Sequence, residues 1–332
     1  MKVTLHQVAE HAGVSIATAS RALNGLAVSQ PAGERVRLAA AQLGYVANEA
    51  ARSLRSERTL TMGLVFYDLR NTLGIELIDA LGEGVEAAGY SLLIASARGD
   101  AARYDRLMHR FLERRVDALF CITPKGDGAP LASYEAAGTP VIALFDAGAA
   151  FAALPLLSPA FSESSAALAE HLAALGHWRV GIVVEHGRSP PLLAVAAALK
   201  AASIEVELIE PSEAGGMNDV VAGLKRRRDG PTALVARDPL ARGLVAACAA
   251  AGVDVPGALS LVSLTEIGVD RRGRQGLSAL VVDPHRMGRA AATSMLAWLA
   301  GSRPADRTRV QAATFEPRAT TGPARPRLDP GA

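Results

Sequence analysis

Between Ser15 and Asn24 the side chains divide by angle. At about 100° per residue, Ile16, Ala17, Ser20, Arg21 and Asn24 fall on one helical face and Thr18, Ala19, Ala22 and Leu23 on the other. Nothing in the apolar pattern requires the first face to be buried. Its chemistry suits the edge of a base pair in a major groove. A guanidinium at Arg21 offers the two-pronged donor that guanine accepts, and the methyls of Ile16 and Ala17 can meet a thymine methyl. The same residues also fit an ordinary helical hairpin with Arg21 in water, and spacing alone leaves both readings open.

Other chemistries find little foothold. The seven histidines (His6, His11, His109, His171, His177, His186, His285) show no i, i+4 pairing with an acid between; His171 and His177 flank a helix end and read as structural. No phosphate-binding Gly-Lys-Ser/Thr loop and no nucleophile-elbow serine occurs. Gly82-Glu-Gly84-Val-Glu-Ala87 mimics part of a dinucleotide fingerprint but lies inside a helical pattern, where close helix packing explains it. Lys225-Arg-Arg-Arg-Asp229 could pass for a nucleic-acid patch; at a helix C-terminus it complements the dipole and faces water. Cys121 and Cys248, each inside an apolar run, suggest neither a disulfide framework nor a zinc cluster. No enzyme, no cofactor and no metal is expected.

The elements that must hold the Arg21 face are legible around it. Thr4 and Gln7 stand three apart before an apolar pattern, a capping-box signature. Leu5, Val8, Ala9 and Ala12 then form one buried stripe. Gly13 permits a sharp turn, Val14 can anchor it, and Ser15 is a good N-cap for the helix carrying Arg21. Ser29 caps a third helix, whose Val36, Ala39, Ala40 and Leu43 close a three-helix core, and Gly44 ends it. Charge follows the same division. The chain of 332 residues is nearly balanced at +2, yet residues 1–58 hold seven basic groups against four acidic ones, or +3, leaving −1 for the rest. A basic module on a neutral body fits a polyanion-binding head.

The run Thr4–Asn24, then Val28-Ser29, Ala39-Ala40 and Leu43-Gly44-Tyr45, closely resembles the headpiece of the LacI/GalR family of bacterial repressors. It departs at Ala32-Gly33, where the family usually has Thr-Arg, and at Ala47, where proline usually precedes Asn48. The resemblance implies a DNA-binding set of Thr4, Leu5, Ser15, Ile16, Ala17, Thr18, Ser20, Arg21, Asn24 and Ser29. It also implies a hinge at Asn48–Leu54 that turns helical when two copies meet on DNA. There Leu54 would wedge into the minor groove, Ala51 would pack closely beside it, and Asn48 would contact groove or backbone. A plain linker is the alternative. Seven residues of helix are too few to be stable alone in water.

From Thr61 onward short apolar runs alternate with amphipathic stretches. Strands are expected at 62–66, 91–96, 118–122, 141–145, 180–184, 233–236 and 259–264. Helices are expected at 73–88, 101–114, 164–175, 192–202, 240–251 and 284–299. Such alternation over so long a stretch implies two parallel sheets. The expected fold class is therefore an all-α helix-turn-helix headpiece plus an α/β two-lobed core with parallel sheets. Gly63–Asp68 with Asn71, Ala88-Gly89-Tyr90, Arg114–Asp117, His171-Leu172, Leu175-Gly176-His177 and Phe315–Gly322 resemble the same family's sensor, which has the type I periplasmic-binding-protein fold. Three crossings between lobes would then fall near Leu157, Val282 and Gly301–Asp306. The expected divisions are headpiece 1–46, hinge 47–58, N-terminal lobe 59–157 plus 282–303, C-terminal lobe 158–281 plus 304–322, and a disordered tail 323–332.

Family members that hold sugars or purines use polar groups that this chain keeps only in part. Asp146 is retained. Leu73-Gly74 stand where an aromatic pair is usual, Pro191 where an arginine is expected, Arg237 for an asparagine, and Thr265, followed by Glu266, for an aspartate. With few charge-assisted partners left, a simple sugar is not expected. Either a different small-molecule effector uses Asp68, Asn71, Asp146, Arg237 and Glu266, or none binds. The resemblance implies a transcriptional regulator, read as a repressor, that binds a palindromic double-stranded operator as a homodimer. The tail lacks a leucine heptad, which argues against a tail-built tetramer. The longest uncharged stretch, Ala147–Ser162, has 16 residues broken by two prolines, and the start shows no apolar signal core. A cytoplasmic protein without membrane contact is expected. The rival is a binding protein or enzyme whose head mediates assembly.

Overall fold

A computed structural model describes residues 3–23, 25–45, 58–68, 74–184, 190–212, 216–227, 229–237, 240–266 and 276–326. The chain divides into two compact units, residues 1–59 and 60–332.

Among its described residues the first unit has three helices, α1 (Leu5–Ala12), α2 (Ile16–Leu23) and α3 (Gln30–Leu43). Their shared core is Val8, Ala9, Ala12, Ala19, Ala22, Val36, Ala39 and Ala40, with Leu5, Val14, Leu23, Leu43 and Tyr45 packed against it. Six alanines among eight core residues let the helices approach closely. Gly13 and Gly44 end α1 and α3 in the left-handed region, at φ 62° and 63°, where a Cβ is costly. The family departure at Gly33 is accommodated. That position is buried, and an added Cβ would stand 3.4 Å from Val28 Cγ2 and 3.5 Å from the Arg37 guanidinium.

The second unit runs β1 (Thr61–Phe66), α4 (Gly74–Glu86), β2 (Ser91–Ser96), α5 (Ala101–Glu113), β3 (Ala118–Ile122), α6 (Leu131–Ala136), β4 (Val141–Leu144), β5 (Leu156–Ala160), α7 (Ser162–Ala174), β6 (Arg179–Val183), α8 (Pro190–Ala201), β7 (Glu205–Ile209), α9 (Gly216–Lys225), β8 (Ala233–Arg237), α10 (Leu240–Ala251), β9 (Ser260–Glu266), β10 (Ser278–Val281), α11 (Pro284–Leu299), β11 (Arg307–Ala312) and β12 (Thr314–Glu316). One sheet has the order β11-β5-β4-β3-β1-β2, the other β12-β10-β9-β8-β6-β7. Among the described residues only β12 pairs antiparallel, with β10. Central strands such as β3 and β4 are buried at every residue, as parallel strands covered on both faces must be.

Among the described residues the chain crosses between sheets at three places, each at the carboxyl end of a strand: after β5, after β10 and between β11 and β12. The side chains bind these crossings together. Gln311 donates to the Asp283 carbonyl at 2.7 Å. Arg309 donates to Ser158 Oγ and the Pro159 carbonyl at 2.7 and 3.0 Å. Because β11 pairs with β5, the third crossing falls at Ala313 and not at 301–306, and 307–312 belong to the first sheet. The first crossing likewise falls past Ala160, beyond Leu157. The alternating polar side chains of β11 hide an edge strand that buries little. Residues 323–326, expected in a free tail, are held on the second lobe. The Ala324 amide donates to Leu175 O at 2.8 Å, and Arg325 reaches Gly230 O at 3.4 Å.

Helices α4 and α11 meet through glycine. A Cβ on Gly84 would stand 2.5 Å from the Ala292 Cβ, and one on Gly288 2.7 Å from Leu77 O. Close helix packing thus accounts for Gly84, while an added Cβ at Gly82 would meet nothing within 4 Å.

Candidate nucleic-acid interface

Thr4 and Gln7 form the reciprocal cap. The Thr4 amide donates to Gln7 Oε1 at 2.9 Å and the Gln7 amide to Thr4 Oγ1 at 3.4 Å. This fixes the start of α1, and the Gly13 turn redirects the chain into α2. Ser15 Oγ accepts the Thr18 amide at 3.1 Å and meets Thr18 Oγ1 at 2.8 Å, satisfying a donor that the first helical turn leaves open.

With its start fixed, α2 turns Ala19 and Ala22 inward, at 0% and 7% exposure, and leaves Ile16 46% exposed. Ala17 and Arg21 are exposed beside it, and Ser20 is half-buried at the margin. Thr18 is half-buried on the opposite face, engaged with Ser15. Leu5 packs on the headpiece core. Ser29 occupies the N-cap position of α3 with extended backbone, but its side chain makes no capping hydrogen bond. The expectation of a side-chain cap there is corrected. Pro31, in the first turn, supplies a fixed φ instead. Asn24, Asn48, Ala51 and Leu54 lie outside the described residues.

In the core, Asp68 follows β1 and Asp146 follows β4, at the carboxyl edge of the first sheet. Arg237 ends β8 and Glu266 ends β9, at the carboxyl edge of the second. Asp68, Asp146 and Arg237 are half-buried. The Glu266 side chain and the whole of Asn71 lie outside what is described. Since the crossings gather at carboxyl ends, these edges flank the hinge between lobes, the usual place for a ligand in α/β sheets.

Other candidates resolve as structural. Burial raises the Cys121 thiol to about 12 and also pushes Cys248 up, which leaves both in the unreactive form. Buried His177 is neutral: Nε2 donates to Gly322 O at 3.1 Å, so Nδ1 accepts from Thr232 Oγ1 at 2.8 Å. Arg227 pairs with Glu207 through both guanidinium nitrogens, and Lys225 donates to Ala251 O at 2.8 Å. No group of three or more His, Cys, Asp or Glu side chains among the described residues could hold a metal. No helix among them is long and apolar enough to cross a membrane. Arg103, Arg106 and Arg110 of α5, with Arg114 at its C-cap, recur at helical spacing in the sequence.

Residues 4–48 match bacterial regulatory proteins of the lacI family, and residues 169–321 match a periplasmic binding protein-like domain. The lactose operon repressor of Escherichia coli is 31% identical over 277 residues, covering 78% of this chain and 74% of that protein. The chain belongs to the lacI family of bacterial regulatory proteins. Another lacI-family relative, the HTH-type transcriptional regulator GntR of Pseudomonas aeruginosa, is 29% identical over 91% of each chain. The lac repressor dimer solved with operator and the anti-inducer ONPF has the same fold, with a TM-score of 0.82 at 23% identity, over 97% of this chain and 100% of that one. The chain is thus a DNA-binding transcriptional regulator with a helix-turn-helix head and a two-lobed α/β core.

Proposed function

We propose that this regulator represses transcription by binding a palindromic operator as a homodimer. The observation that carries the proposal is the division of α2, with Ala19 and Ala22 buried and Ile16, Ala17 and Arg21 exposed on one face. Arg21 reads a guanine, Ile16 and Ala17 touch neighbouring bases, and Thr4, Leu5, Ser15, Thr18, Ser20, Asn24 and Ser29 position the helix on the backbone. Two-fold pairing doubles a contact that one headpiece makes too small. Segment 48–54 resembles the family hinge, which supports a wedge at Leu54 with Ala51 and Asn48 beside it. The cost of unstacking a step is offset by the surface that a bent duplex offers. The chain acts as a regulator and not as an enzyme, in the cytoplasm. A small-molecule effector other than a simple sugar, held by Asp68, Asn71, Asp146, Arg237 and Glu266, biases the two lobe arrangements and so shifts operator affinity.

The test is selection of full-length protein on a randomised duplex library at near-physiological salt. Enrichment of an inverted repeat supports the reading. Weak, salt-sensitive binding with no enriched motif overturns it.

A further inference from the structure

The core holds a concentration of positive charge that neither base reading nor effector binding uses. Residues 98–115 carry Arg98, Arg103, Arg106, Arg110, Arg114 and Arg115 against Asp100, Asp105 and Glu113, a net of +3. That equals the charge of the whole of residues 1–58, within a core whose total is −1, so the remainder of the core stands at −4.

Helix α5 orders most of these arginines. It buries Tyr104, Met108 and Phe111. On the far side, Arg103, Arg106, Arg110 and Arg114 fall within an arc of about 80° at about 100° per residue. Arg106, Arg110 and Arg114 are exposed. The nearby acids leave them largely uncompensated. Asp100 caps the helix through the Arg103 amide at 2.9 Å and meets Arg106 only at 3.7 Å, with both side chains more than half exposed. Such an exposed pair is worth little. Asp105 accepts the Asp127 amide at 3.2 Å, on the side of the following loop.

The stripe also ends at a telling place. Beyond α5 the Asp117 amide donates to Thr61 O at 2.8 Å, and Asp117 Oδ2 accepts the Leu60 amide at 2.8 Å. Leu60 is the first residue of the core unit, so Arg114 stands three residues before the side chain that holds the start of that unit. From Arg103 to Arg114 the helix rises about 16 Å, against one phosphate per about 3.4 Å of axis on each DNA strand. Every cation in the stripe is arginine, whose fork matches phosphate oxygens.

We propose that the arginine face of α5 is a second, sequence-independent DNA surface that engages phosphates of the duplex flanking the operator. The proposal rests on the operator reading above, and the test separates the two. Full-length protein and the variant R106Q/R110Q/R114Q are titrated against the selected site in two duplexes, one trimmed to the site and one extended by about one helical turn on each side. On the extended duplex the dimeric variant, which lacks three arginines on each protomer, has a slope of log K against log salt shallower by up to about 5.4, about 2.7 per protomer. The affinity ratio between wild type and variant then shrinks by up to about 40-fold per protomer, on the order of 10³-fold for the dimer, from 50 to 200 mM salt. On the trimmed duplex the two proteins bind alike, and R106K/R110K/R114K restores the slope on the extended one. Equal slopes on both duplexes, with site-specific binding intact, overturn the α5 surface and leave the arginines to an acidic protein partner. A deficit of equal size on both duplexes overturns it too, since the loss would not depend on flanking phosphates. Failure of the wild type on both removes the operator reading and this proposal with it. Unchanged thermal denaturation of the variants assigns any slope change to the charges.

Discussion

Moving a single methyl between α4 and α11 tests the packing that seats α11 on the first lobe after the chain returns from the second. In Gly84→Ala the new Cβ would lie 2.5 Å from the Ala292 Cβ, and Ala292 is 2% exposed. Relieving that contact means moving two packed helices apart by about 1 Å, an overpacking cost of about 1–3 kcal/mol. Alanine returns about 1 kcal/mol through its helix propensity, so the expected net loss is about 0–2 kcal/mol. Ala292→Gly alone loses about 1 kcal/mol of propensity and a further ~0.8 kcal/mol of buried methyl. If the sites were independent, the double variant would lose the sum, about 3 kcal/mol. Exchanging the methyl across the contact instead cancels the propensities and restores the fit, so the double variant should lie within about 1 kcal/mol of wild type. The coupling is then about 2 kcal/mol. Urea denaturation of the four proteins, followed by far-ultraviolet circular dichroism, measures it. Additive losses would refute the reasoning. Gly288→Ala is a contrasting case with no such rescue, because the atoms it would meet include Leu77 O and Leu81 N of the backbone.

Arg21→Gln should weaken operator binding by about 1–3 kcal/mol per half-site and erase the base preference opposite it; a selection that returns the same preference rejects the guanine contact. Ser15→Ala removes the acceptor for the Thr18 amide at 3.1 Å and should destabilise the head by about 1 kcal/mol, with Ser15→Asp restoring it. Hydrogen exchange at the α2 amides reads this, and unchanged protection counts against the cap. Burial lowers the His177 pKa below 6.5. Its contribution is therefore complete above pH 6.5 and lost as pH falls through the lowered value, because the unfolded chain then binds the proton more readily. The melting temperature difference between wild type and His177→Gln should shrink from pH 7 to pH 5; a constant difference would show that His177 does not titrate with unfolding.

The head was legible because its signals are local. A cap three residues from its partner, a glycine at a left-handed turn and an i, i+3, i+4 stripe each act within one or two turns, and the helices form where those signals stand. Ser29 is the exception, since its position follows from sequence but its hydroxyl orientation depends on the surrounding turn. In the core, strands buried on both faces read as continuous apolar runs, which is why β1, β3, β4 and β8 stand out in the sequence. β7 and β11 lie at sheet edges and alternate with charged or polar residues, β5 contains Pro159, and β12 is only three residues long. Whether Asp68, Asp146, Arg237 and Glu266 meet one ligand is a matter of how two lobes close, and no spacing along the chain encodes that distance.

The alanine-rich core of the head has a thermal consequence. A unit of fewer than 60 residues that buries two valines and six alanines at its centre gains little from burial and stands near the limit of independent stability. DNA binds only the folded form, so bound operator stabilises the head by mass action, about 2.7 kcal/mol at one hundred times the dissociation constant. Occupancy and folding of the head then rise and fall together. Warming would release the regulator from its site while the larger core is still folded, which gives repression a temperature threshold of its own.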